Sequence, residues 1–126
     1  MVKEKNISLH SMDITSKEMT NLISNTPHDG AVVLVHAGWC GHCVRFIPTF
    51  KKDFQVVQNK YMFEISPEYG TVHSFKPKSV SSKITSYPTV LFIHNGNVGR
   101  FVGNRNDEKE VMDSFNRFKK KYSKSF

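Results

Sequence analysis

Apolar positions along this chain switch between extended runs and helical spacing, and the order of the switches outlines its elements. Ile7 to His10 is a short extended run that predicts a first strand. Thr15 with Glu18 forms a capping-box pattern, which predicts a helix carrying Met19, Leu22 and Ile23 and closed by Pro27 and Gly30. Ala31 to Ala37 is rich in β-branched residues and lacks alternation, the pattern of a central strand buried on both faces. Phe46, Ile47, Phe50, Phe54 and Val57 then recur at three- and four-residue steps, which predicts one long amphipathic helix kinked at Pro48. Tyr61 to Ser66 reads as a strand. The stretch from Pro67 to Ser86 is poor in apolar residues, with one short helix expected around Val80 to Ile84. Thr89 to His94 and Val98 to Val102, separated by Asn95-Gly96-Asn97, predict an antiparallel hairpin. Asp107 and Glu110 open a last helix whose stripe is Val111, Phe115, Phe118 and Tyr122. The order predicts an α/β fold, a central mixed sheet of about four to five strands with helices on both faces.

The length of 126 residues fits a single domain spanning 1–126, with a core at 7–122 and a tail at 123–126. Ten Phe and 38% hydrophobic residues suffice for one compact core. The longest apolar run, Ala31 to Val35, is far short of the roughly 20 residues that a membrane helix needs. Neither a signal segment at the start nor a retention signal at Tyr122 to Phe126 is visible. Read as a full translation product, the chain is expected in the cytoplasm; read as a mature fragment, it belongs to a secretory compartment. Net charge is +7, and Arg117, Lys119, Lys120, Lys121 and Lys124 crowd the C-terminal end. Cations there complement the carbonyl pole of a final helix, so a solvated helix end is favoured over a dedicated patch for nucleic acid or an acidic protein.

The chain has two cysteines, both in Trp39-Cys40-Gly41-His42-Cys43. A disulfide across two residues closes too small a loop to stabilise the fold much, so the pair reads as a dithiol that opens and closes. It follows a buried strand and precedes a helix, and the free amides and dipole of a helix N-terminus favour a thiolate at Cys40. Protonated His42 between the cysteines would favour it further. Two cysteines supply half of a zinc shell, and no metal is expected.

With Pro48, Tyr87-Pro88-Thr89 and Val102-Gly103-Asn104-Arg105, the motif makes the chain resemble the thioredoxin superfamily, and within it a single catalytic domain of the protein disulfide isomerase type, from about Ile7 to Tyr122. The resemblance implies that Cys40 attacks and Cys43 resolves, with Gly41 and His42 completing the catalytic motif. It implies that Trp39, Tyr87 and a cis Pro88 meet an extended substrate, and that Arg105 helps Cys43 lose its proton. It implies a thioredoxin-like fold and thiol-disulfide exchange with protein substrates, sustained by a redox partner and needing no cofactor. A monomer is expected.

One departure concerns proton transfer. The family's buried acid, six residues before the first cysteine, is Leu34 here. Glu64, on the strand expected beside Leu34, or His36, two residues on and so on the same face, is expected to take its role. The other concerns location, since isomerases of this type usually enter the secretory pathway. His42, by favouring the thiolate, makes the disulfide a better oxidant, and a virus or parasite with its own disulfide-forming pathway, or a dithiol kept reduced, would reconcile that with a reducing compartment. The rival reading is a basic binding module on the same fold with vestigial cysteines.

Overall fold

The computed structural model describes residues 13–37, 41–65, 80, 82–84 and 86–123. The expected first strand at Ile7 to His10 and most of 66–86 lie outside the described residues. The chain forms α1 (Ser16–Ser24), β1 (Ala31–Ala37), α2 (Gly41–Asp53), β2 (Lys60–Ile65), β3 (Thr89–His94), β4 (Asn97–Arg100) and α3 (Glu108–Lys121). The strands make one mixed sheet in the order β2-β1-β3-β4. β1 runs parallel to β2 and antiparallel to β3, and β3 is antiparallel to β4.

Local chemistry accounts for the starts of α1 and α3. The Thr15 hydroxyl accepts from the Glu18 amide at 3.1 Å while the Glu18 carboxylate accepts from the Thr15 amide at 2.8 Å, closing the capping box. Asp107 caps α3 by accepting from the Glu110 amide at 3.1 Å. The continuous apolar run of β1 follows from its central place, for all seven residues are buried. Val32 and Leu34 face α2 and α3 through Phe46, Ile47, Phe50, Val111 and Phe115. Ala31, Val33 and Val35 face α1 through Met19 and Leu22, together with Val80 and Ile84.

Three elements differ from the reading of periodicity. Helix α2 ends at Asp53, although Phe54 and Val57 stay buried in the turns that follow, where the Phe54 amide still donates to the Phe50 carbonyl at 3.1 Å. The apolar stripe therefore outlasts the helix. Asn97 belongs to β4, paired with His94, which leaves Asn95 and Gly96 as the turn; both have positive φ, 50° and 80°, the geometry of a two-residue hairpin. β4 stops at Arg100, and Val102 is 73% exposed.

Candidate active site

β1 leads to the N-terminus of α2, and the two cysteines flank this junction in sequence. Trp39 and Cys40 lie outside the described residues. Gly41 opens α2, and both it and His42 are exposed. Cys43, in the first turn, is fully buried. Arg45, three residues beyond His42 and therefore beside it on the helix, places its Nη2 2.8 Å from His42 Nδ1. A guanidinium only donates, so Nδ1 accepts and the ring proton of a neutral imidazole sits on Nε2. In this arrangement Arg45 brings a permanent cation to the helix start beside His42. Its guanidinium reaches back over the first turn, where a Cβ on Gly41 would meet Nη1 at 3.5 Å. A cation beside the positive pole of a helix is favourable when an anion lies there too.

The segment before β3 comes to the same place. The Tyr87–Pro88 peptide bond is cis, Pro88 is buried and Tyr87 half-buried. Burial pushes the Tyr87 phenol above its ordinary value, and charge on Cys43 pushes it the same way, which puts the phenol within electrostatic range of the thiol. Arg105, half-buried, holds its guanidinium carbon 5.4 Å from the centroid of the Phe46 ring, one turn along α2 from Cys43.

Leu34 is buried between Met62 on β2 and Val90 on β3. The residue paired with Glu64 is His36, two register steps nearer the junction. Asp13, bridged to Met62 along the far side of β2, completes a cluster: the donor atoms of Asp13, His36 and Glu64 lie within 4.8 Å of one another. Nε2 of the buried His36 is 2.9 Å from Asp13 Oδ1, so the pair satisfies itself by a hydrogen bond. Asp13 and Arg45 were absent from the reading of the sequence. Arg45 carried a signal in its three-residue spacing from His42; Asp13, 23 positions from His36, carried none.

The sequence pattern of the thioredoxin family matches residues 10–116. The "Probable protein disulfide-isomerase A6" of Medicago sativa is 30% identical over 107 residues, 81% of this chain and 28% of that protein. "Bloodstream-specific protein 2" of Trypanosoma brucei brucei is 34% identical over 65 residues, 52% of this chain and 12% of that protein. The chain thus spans less than a third of the length of these relatives. In fold it is similar to the first thioredoxin domain of mouse Protein disulfide-isomerase A4, with TM-score 0.62 and 17% identity over 90% of this chain and 79% of that one. It is likewise similar to oxidised mitochondrial thioredoxin 3 of Saccharomyces cerevisiae, with TM-score 0.58 and 19% identity over 87% and 99%. With the family pattern running from before α1 into α3 over a four-stranded mixed sheet, the chain belongs to the thioredoxin family.

Proposed function

We propose that this chain is a thiol-disulfide oxidoreductase that exchanges disulfides with protein substrates through Cys40 and Cys43. The observation that carries the reading is a fully buried Cys43 in the first turn of α2, next to an exposed His42–Arg45 pair and within electrostatic range of Tyr87. In the reducing direction the Cys40 thiolate attacks a substrate disulfide, forms a mixed disulfide and releases one substrate thiolate, which takes a proton from water. Cys43 then gives up its proton and attacks the Cys40 sulfur, and the second substrate thiolate leaves. The substrate gains two electrons and two protons as the dithiol closes to a disulfide. Oxidation of a substrate dithiol is the reverse.

Trp39, Tyr87 and Pro88 would form the docking edge for an extended substrate segment. Arg105, stacked on Phe46, would lend positive charge beneath the resolving thiol. Cys43→Ser should accumulate mixed disulfides with substrate proteins, detectable as thiol-reversible adducts, and Cys40→Ser should abolish them. A Cys43→Ser protein that captures nothing, together with wild-type chain inert toward insulin, would refute the assignment.

With Leu34 in place of an acid, the Cys43 proton needs another acceptor. We assign this to His36, oriented by Asp13 and flanked by Glu64, the proton being relayed through water. His36→Phe, Asp13→Asn and Glu64→Gln should each lengthen the lifetime of a preformed mixed disulfide by roughly tenfold or more. If none of the three slows resolution, the relay fails while the trapping result stands.

A further inference from the structure

At the end of the sheet opposite the N-terminus of α2, three segments enclose a cleft of about 730 Å³. His28 and Asp29 come from the loop between α1 and β1, His94 and Asn95 from the hairpin, Lys119 and Lys120 from the last turn of α3. The frame is tied together. Asn95 Nδ2 donates to the Tyr122 carbonyl at 2.7 Å, and the Gly96 amide donates to the Thr26 hydroxyl at 3.3 Å. The first of these bonds also satisfies a carbonyl at the negative pole of α3, which would otherwise oppose an anion. Lys119 is held in place, its Nζ 4.5 Å from the centroid of the Phe115 ring and its stem over Gly30.

The lining is unbalanced in charge: two ammonium groups and two imidazoles face one carboxylate. His94 is only 7% exposed, and its Nδ1 has no hydrogen-bond partner among the described residues. Burial first, then the charges of Lys119 and His28, hold its ring below the ordinary imidazole range, with Asp29 opposing. Adjacent cations around a partly desolvated floor repel one another unless an anion joins them.

We propose that this cleft binds a phosphorylated small molecule, with its phosphate between Lys119 and Lys120 and within reach of the His28 ring and the Asn95 amide. Lysines bind phosphate as point charges with several donors each, and the imidazoles add donors or charge without a bulky side chain. The volume falls in the range of small-molecule sites, roughly 300–1,000 Å³, and leaves room for more than one phosphate group. The lysine-rich end of the chain is thereby a wall of a cleft rather than only a solvated helix terminus. The site is independent of the cysteine chemistry.

The test titrates the full chain with inorganic pyrophosphate, and separately with inorganic phosphate, at constant ionic strength, following ring resonances of His28 and His94 by NMR and heat by calorimetry. Pyrophosphate should saturate, with shifts confined to the cleft. Lys120→Gln should weaken it roughly tenfold, the size expected from losing one hydrogen bond to a charged group. Lys119→Gln should do the same, and Lys120→Gln controls for any repacking of Phe115 in that variant. Insulin reduction by Lys120→Gln should be unchanged. Shifts that drift without saturating, or an affinity untouched by Lys120→Gln, would overturn the proposal. So would a short single-stranded oligonucleotide that saturates the same resonances at tenfold lower concentration, because the ligand would then be a polyanion.

Discussion

Asp53, the last residue of α2, is 2% exposed, and its Oδ2 has no hydrogen-bond partner among the described residues. Burial, reinforced by Glu108 and Asp107 and partly offset by Lys52, raises its pKa from 3.8 to about 6. Because the folded value lies above the unfolded one, the native state holds a proton that the unfolded chain releases between about pH 4 and pH 6. Stability attributable to this group is therefore greatest below about pH 4, falls as pH rises through 6 and is level above. The fall is on the order of 3 kcal/mol. Asp53→Asn should remove that slope: the difference in unfolding free energy between variant and wild type, from urea titrations at pH 4 and pH 8, should favour the variant at the higher pH. A difference that does not change with pH would show that Asp53 ionises as freely in the folded chain as in the unfolded one. No reading of the sequence singled out this residue, since a lysine-flanked Asp in an amphipathic helix looks solvated. It is buried because α2 ends on it and the chain turns back into the core at Phe54.

Elements were legible where their cause is local. The capping box of α1 and the Asp107 cap of α3 are each decided by two neighbouring side chains, and each was readable; the hairpin was readable too, with its turn one residue shorter than Asn95-Gly96-Asn97. The end of α2 was not, because Phe54 and Val57 keep the helical period while packing from turns; apolar spacing reports burial first and conformation second. Nor was the end of β4. That strand carries Gly99, over which Phe118 of α3 lies so closely that an added Cβ would meet its Cε1 at 2.5 Å. Gly99→Ala should destabilise the chain by about 1–3 kcal/mol through overpacking. In a Phe118→Ala background the same change should cost little, and equal costs in the two backgrounds would mean that the strain lies in the backbone of β4.

At the scale of the whole molecule, the place of Cys43 was legible because its setting is contiguous: a buried strand and a helix start follow one another in the chain. The clusters around it were not. Glu64 and His36 were named as candidates, yet their direct pairing and the approach of Asp13 come from strand register and from a segment lying beyond β2. The cationic cleft needs a loop, a hairpin and a helix end at once; the sequence displayed the lysines but nothing that would bring two histidines to them.

Strand β3 joins the two ends. It begins at Thr89, directly after Pro88, and finishes at His94 on the floor of the cleft, with all six residues buried. At about 3.3 Å per residue it spans roughly 20 Å, a stiff rod in the middle of a close-packed sheet. An anchor at one end therefore leaves the other unobstructed. If both sites work as proposed, the chain can carry a phosphorylated small molecule at one pole of this rod while its dithiol meets one substrate after another at the other.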